Sequence, residues 1–547
     1  MIEKIIDWSA RNRFIVILLY IIITVAGIYC VVNLPVDAIP DLSENQVILY
    51  TEWMGRSPQV VEDQVTYPIV SGLQGLTHVK AVRASSMFGM SFVFVIFEDN
   101  VDTYFARTRV MERMNTIQSQ LPAGVTPSLG PDGSGVGHVF WYTVEGKGYD
   151  LGALRSVQDW YIRYKLSAVD GVAEVASIGG FVKQYQVDVN PSDLRGYNLT
   201  VSDVVNAIQR SNNEVGGKII EVNDAEYFVR GQGYIAAKED IENTVIKSGT
   251  NGIPILIKNI AQVQLGGDIR RGALDKNGEG EAVGGIIVMR NGENAQKVIA
   301  RVKEKIKEIA PGLPPGMEIV PSYDRSTLIH EAVGTLQRAL LEASLTVAIM
   351  VMLFLLHLRS IVRILIELPI SVLIAFILMY LFGITSNIMS LGGIILAVGV
   401  IVDSSIVLVE NAYRNLAKAI EEKGSLTPDD YKKISIDSAK QVGRAIFFSE
   451  LIILVSFLPV FLLTGQEGKL FRPLAFTKSF AMLGSSIVVI TLIPVLMTML
   501  MRGKFKPEKK NPTTRFFIRI YEPVIHWVLK HRKITIALNI FAIVQEN

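Results

Sequence analysis

Long apolar runs alternate with one long stretch of mixed polarity. Phe14–Val32, Ala339–Leu356, Leu365–Phe382, Ile388–Val409, Ala445–Leu463 and Leu474–Met501 each approach the roughly 20 apolar residues that a helix needs to cross hydrocarbon. About six transmembrane helices are therefore expected. The first stands alone, and the other five crowd together after residue 338. A shorter run, Ile534–Val544, follows the basic flank His531-Arg532-Lys533 and reads as the start of a seventh helix cut short.

Between Pro35 and Arg338 the period changes. Val47–Trp53, Val79–Ser85 and Phe92–Glu98 have the composition and alternation of strands, while Pro58–Leu73 and Val101–Leu121 read as amphipathic helices. Ser57 is a plausible N-cap for the first of them. The order β-α-β-β-α is a ferredoxin-like half-unit. It recurs in Val139–Val144, the helix Asp150–Val169, Val172–Ser177 and Gln184–Val189. It recurs again in Gly285–Met289, the helix Ala295–Ile309 and Met317–Pro321. The predicted fold class is an α-helical membrane bundle carrying a large α+β insert of ferredoxin-like βαβ subdomains. The expected divisions are 1–34 (first span), 35–130 (first porter subdomain) and 131–180 with 276–335 (second porter subdomain). They continue with 181–275 (a protruding docking subdomain), 336–503 (spans two to six), 504–533 (a cytoplasmic linker with an amphipathic helix) and 534–547 (the start of span seven).

Basic residues orient the bundle. The stretch after span two has Arg359 and Arg363. Arg414, Lys418, Lys423, Lys432, Lys433, Lys440 and Arg444 follow span four, and Arg502, Lys504, Lys506, Lys509, Lys510, Arg515 and Arg519 follow span six. The opposite loops hold only Lys469 and Arg472. The positive-inside rule places the N-terminus in the cytoplasm and the large insert outside, in a periplasm where the cell has one. The first run lacks a small-residue cleavage site and is long enough to span, so it is an anchor rather than a leader. With a net charge of +2, nucleic acid binding has no electrostatic support. One cysteine, Cys30, permits no internal disulfide, and the six histidines are scattered without ligand spacing. No Gly-x-x-x-x-Gly-Lys-Ser/Thr loop exists for ATP, and no nucleophile–base arrangement argues for an enzyme.

The chemistry concentrates in span four. Asp403 stands alone in an apolar helix, where an ionised carboxylate costs several kcal/mol unless it faces a protein or water-filled interior. Burial raises a carboxyl pKa towards neutrality, which suits proton exchange. Glu410 lies on the same face, roughly 10.5 Å along the axis at 1.5 Å per residue. Its plainer role is that of a polar helix end. Glu450 in span five and Glu342 in span two are further acids near hydrocarbon, with snorkelling to the interface as the plainer alternative. Gly392, Gly393 and Gly399 permit close helix approach.

The run Gly399–Asn411 (GVIVDSSIVLVEN) resembles the fourth-helix signature of resistance-nodulation-division (RND) efflux transporters. Leu34–Asp41 (LPVDAIPD), Val65–Pro68 (VTYP), Asn387–Gly393 (NIMSLGG) and Gly465–Phe476 (GQEGKLFRPLAF) are similar to the heavy-metal efflux subgroup. The resemblance implies a trimeric proton antiporter of the bacterial inner membrane. Such a pump passes its cargo to a periplasmic adaptor and an outer-membrane channel. It needs no resident cofactor: the metal is cargo and protons are the coupling ion. It also implies two repeated halves, of which this chain matches the first. The second half, with its own membrane repeat, is expected to supply the lysine that pairs with Asp403. The cleft subdomain with the main methionine ligands is expected outside this chain too.

Ala397-Val398-Gly399 stands where divalent-metal relatives carry an Asp-Phe-Gly stretch, so Cu(I) or Ag(I) is favoured over zinc, cobalt or nickel. Thioethers suit such soft ions. Met389, Met482 and Met497 match members of the subgroup's methionine ladder, while Ile401 and Leu408 replace others. Arg83 matches a residue lining the export funnel. Met87 and Met90 form a Met-x-x-Met turn suited to metal capture, with gap-filling as the plainer role. Drug pumps of the family usually carry two adjacent aspartates, whereas Ser404 follows Asp403. A half-length accessory subunit without transport, or a truncated product, is the alternative of another class.

Overall fold

The computed structural model describes residues 2–248, 252–270, 272–355, 358–501, 505 and 512–545. They form two compact units, Met1–Gly137 with Met289–Ile299 and Asp324–Asn547, and His138–Val288 with Ala300–Tyr323.

The first unit contains a four-stranded sheet and the apolar helices. The sheet comprises β1 (Gln46–Glu52), β2 (Val79–Met87), β3 (Met90–Phe97) and β4 (Pro127–Leu129), in the order β2-β3-β1-β4. Alternation decides its faces: Val47, Leu49, Val93, Val95 and Phe97 point inward, and Leu49 stands opposite Val93. The helical stretches Pro58–Leu73 and Thr103–Ile117 pack Val61, Val65, Ile69, Ala106 and Val110 onto that face. Asp102 caps the second by accepting from the Phe105 N–H at 2.9 Å.

Four helical segments of this unit are long and apolar enough to cross a membrane, among the described residues: Arg13–Asn33, Ile388–Lys423, Pro428–Leu462 and Gly465–Leu500. Leu365–Leu381 is a shorter apolar stretch, inside the helix Leu358–Leu381. Most of the expected second span lies in the helix Arg325–Leu355, and Leu356 falls outside the described residues. The expected start of span seven lies in the helix Arg532–Gln545. Of the four long segments, the last three continue well past their apolar runs, while Arg13–Asn33 exceeds its run by one residue at each end. The helix Ile388–Lys423 ends where Gly424 adopts a left-handed φ of 76°, and Thr427 and Asp430 then form a capping box that starts the next.

Leu34–Asp41 ties the loops of the bundle together. Ser386 N–H donates to the Pro35 carbonyl at 2.9 Å, and the Ser386 carbonyl accepts from Asp37 N–H at 2.9 Å. The Asp37 carboxylate lies 3.4 Å from the buried Arg325 guanidinium. Burial pushes its pKa above the ordinary carboxylate range, against the opposing pull of Arg325.

The second unit is built on β5 (Gly133–Gly146), β6 (Val172–Gly179), β13 (Leu274–Asp275), β14 (Glu281–Arg290) and β15 (Met317–Asp324). They form one sheet in the order β13-β14-β5-β15, with β6 also paired to β14. Between β6 and β13 the chain makes β7 (Lys183–Val189), β8 (Val215–Val222), β9 (Ala225–Gly231), β10 (Val245–Ser248), β11 (Pro254–Leu256) and β12 (Ala261–Gly267). This insertion has its own core of Leu194, Leu199, Val204, Ile241, Ile257 and Val263. Its β8–β9 hairpin is exposed along its whole length.

Candidate functional site

The helix Ile388–Lys423 is anchored before it carries any chemistry. Asn387, almost fully buried, accepts from the backbone N–H of Met389 and Ser390 at 3.0 Å each. Ser390 Oγ accepts in return from Asn387 N–H at 2.7 Å. Ile388 N–H donates to the Ala38 carbonyl. The helix is thus fixed in rotation as well as position.

Rotation sorts its residues. A Cβ on Gly393 would stand 2.4 Å from the Leu474 carbonyl oxygen, so this glycine allows contact with the helix Gly465–Leu500. The expectation of close approach holds there. Gly392 and Gly399 differ: nothing described lies within 4 Å of their Cβ positions. They belong to an uncovered stripe that runs through Leu396, Asp403, Val407 and Glu410, at the helical spacing of three and four residues. Asp403 is exposed on that stripe, and among the described residues no side chain bonds to it. Glu410 pairs with Arg414 at 2.8 Å, one turn on, on the same exposed surface. Asn411 turns away and donates to the Ser438 carbonyl and Gln441 Oε1.

Glu450 has the opposite environment. It is 3% exposed and accepts from Ser486 and, at 3.4 Å, from Ser485. Ser404, the neighbour of Asp403, lies near it, and its own hydroxyl donates to the Val400 carbonyl at 3.5 Å. Ser485 Oγ also lies 3.5 Å from Glu367 Oε1, and Glu367 is 1% exposed. Glu367 was not among the expected acids, although its charge beside Pro369 in an apolar run was a signal. Glu342 is not drawn into this group by any described hydrogen bond or ion pair.

The methionines separate into two environments. Met482 packs with Ile401, Ala397 and Ala375. Met497 lies in the larger core that holds Leu408. Each buried methionine therefore shares a cluster with one of the aliphatic residues noted at a ladder position. Met389 is partly buried at the helix start. Met87 and Met90 face each other across the β2–β3 turn, and Met87 is half exposed. Met54 joins them: its Sδ lies 3.2 Å from the position a Gly89 Cβ would take. Its distance in sequence concealed that proximity. Arg83 is exposed on β2 and pairs with Glu44 at 3.2 Å.

The family model described as AcrB/AcrD/AcrF matches residues 5–546. The chain belongs to that family. Among curated members, the cation efflux system protein CusA of Escherichia coli K12 is 46% identical over 536 residues, covering 96% of this chain and 51% of its own length. The putative cation efflux system protein SilA of Salmonella typhimurium is 45% identical, covering 100% and 53%. The cobalt-zinc-cadmium resistance protein CzcA of Cupriavidus metallidurans is 37% identical, covering 100% and 52%. A heavy metal efflux pump seen by X-ray crystallography superposes with a TM-score of 0.83 at 30% identity, over 98% of this chain and 51% of that one. The chain thus spans about half the length of the RND relatives it matches.

Proposed function

We propose that the chain is the first half of an inner-membrane RND cation pump that exports Cu(I) or Ag(I) in exchange for protons. The observation that carries this reading is the uncovered stripe of Gly392, Gly399 and Asp403. A carboxylate left facing lipid is costly, and two glycines one turn or more away allow another helix to approach it closely. A second membrane half bringing a cation to Asp403 satisfies both requirements. Proton binding at Asp403 then breaks that pairing, which gives a charge change able to drive a conformational one.

In this reading six spans cross the membrane, with residues 35–335 on the periplasmic side. The β2-β3-β1-β4 order with two helices, and the order of β5, β6, β14 and β15, support ferredoxin-like subdomains. Glu410 and Glu450 extend the proton path. Met87 and Met90 capture the ion, and Met389, Met482 and Met497 pass it on, with Arg83 along the export route. The lower identity to the cobalt-zinc-cadmium resistance protein CzcA than to the cation efflux proteins CusA and SilA speaks against those divalent ions. The assembly is a trimer with an adaptor and an outer-membrane channel.

The test is Asp403→Asn in the complete polypeptide, expressed in a metal-sensitive host. Loss of silver and copper resistance at unchanged protein level is expected. Full resistance in that variant overturns the proton role, and resistance to zinc alone overturns the choice of ion.

A further inference from the structure

We propose that Met54, Met87 and Met90 together form a three-thioether site for Cu(I) or Ag(I) on the β2-β3-β1-β4 sheet, with Met54 supplied from a separate segment of the chain. The β2–β3 turn supplies the other two. Met87 and Met90 stand directly opposite each other across it, on one face of the sheet, with β-carbons about 4.5–5.5 Å apart.

After β1 the segment Trp53–Arg56 clasps that turn through two backbone hydrogen bonds. Trp53 N–H donates to the Gly89 carbonyl at 2.9 Å, and Gly89 N–H donates to the Arg56 carbonyl at 3.0 Å. Gly89 adopts a left-handed φ of 68° there, and a Cβ in its place would meet Met54 Cα and Sδ at 3.2 Å each. Met54 Sδ is therefore held over the turn that joins the other two methionines. The Arg56 guanidinium lies 4.9 Å from the centre of the Trp53 ring, which ties the two ends of the clasping segment together.

Packing does not account for this cluster. Methionine fills gaps in cores, yet Met54 and Met87 are each about half exposed, and Phe88 in the turn itself is exposed as well. Apolar side chains scattered singly over a surface need no explanation; three thioethers gathered on one exposed turn do. Each side chain has three rotatable bonds, enough to swing its sulfur onto a shared ion without moving the backbone. A thioether sulfur carries two lone pairs and is only a weak acceptor, so a hydrogen bond to one leaves the other for a soft cation. Soft thioethers select Cu(I), and Ag(I) is its heavier congener. Glu52 stands opposite Met90 on β1, on the same face, and places a negative charge near the incoming cation. Binding forms sulfur–metal bonds without a change of oxidation state, and it releases no proton because a thioether carries none. Use of the site in export rests on the proposed copper and silver cargo; binding of the ion at this turn does not.

The experiment is nuclear magnetic resonance of the complete polypeptide in lipid nanodiscs with carbon-13 methionine methyl groups, titrated with silver nitrate and, separately, with zinc sulfate. The Met54, Met87 and Met90 signals, assigned by their loss in M54L, M87L and M90L, are expected to shift together with one apparent silver affinity and to ignore zinc. M54L nearly conserves volume, yet it is expected to weaken silver binding at Met87 and Met90 by about tenfold or more. D403N is expected to keep the shifts even where metal export is lost, so failure of the transport reading and failure of this site are separable. Shifts at Met87 and Met90 with Met54 unmoved overturn the three-ligand site, as do no shifts at all or an equal response to zinc.

Discussion

Lys469 Nζ lies 2.8 Å from the Asp99 carboxylate and also donates to the Ser43 carbonyl at 2.6 Å. One side chain thus joins the start of the helix Gly465–Leu500 to the end of β3. Lys469 holds the Asp99 carboxyl below the usual range. The folded chain therefore takes up that proton at lower pH than the unfolded chain. The stabilisation is fully present above the unfolded value of about 3.9 and is lost as pH falls through the lower folded value. Asp99→Asn is expected to flatten the acid limb of a melting-temperature profile below about pH 4. The pair is partly exposed, so its contribution is about 0.2–1 kcal/mol.

Gly393→Ala and Gly399→Ala are chemically identical changes with different expected costs. The first drives a methyl group into the Leu474 carbonyl and Thr477 Oγ1, an overpacking cost of about 1–3 kcal/mol. The second enters open space and is expected to stay within about 0.5 kcal/mol of the parent. Thermal unfolding of the detergent-solubilised chain checks both. In the complete polypeptide, Gly399→Ala is expected to reduce silver resistance without changing protein abundance.

Met482→Leu and Met497→Leu nearly conserve volume, and each is expected to cost less than about 1.5 kcal/mol in stability. A thioether relay predicts several-fold lower silver efflux from loaded vesicles in each variant. Parent-level efflux in both assigns these methionines to packing alone.

Glu410→Gln removes an exposed one-turn pair with Arg414. The fold is expected to lose at most about 0.5 kcal/mol. Proton-coupled export, measured with a pH-sensitive dye in proteoliposomes, is expected to slow but persist. Complete loss, as for Asp403→Asn, assigns Glu410 an indispensable part in the path.

The apolar runs and the strand–helix alternation made much of the element order legible, because hydrophobic period reports burial directly. Asp403 stood out for the same reason: a lone charge has no local explanation in hydrocarbon. Glu367 did not, because it lies a few residues from Arg359 and Arg363, at what reads as the charged edge of a span. Helix boundaries were less legible, since polar extensions such as Asn411–Lys423 keep helical propensity beyond the apolar limit.

By itself the sequence determined the long apolar runs, the lone carboxylate and the methionine set, all properties of local composition. Tertiary structure decided which face each residue occupies. The Asn387 cap and the Gly393 contact fix the rotation of one helix, and that rotation sends Asp403 outward and Ser404 towards Glu450. Meeting Glu367 at Ser485 then requires three helices at once. No local pattern encodes such a meeting, because it depends on packing between segments far apart in the chain.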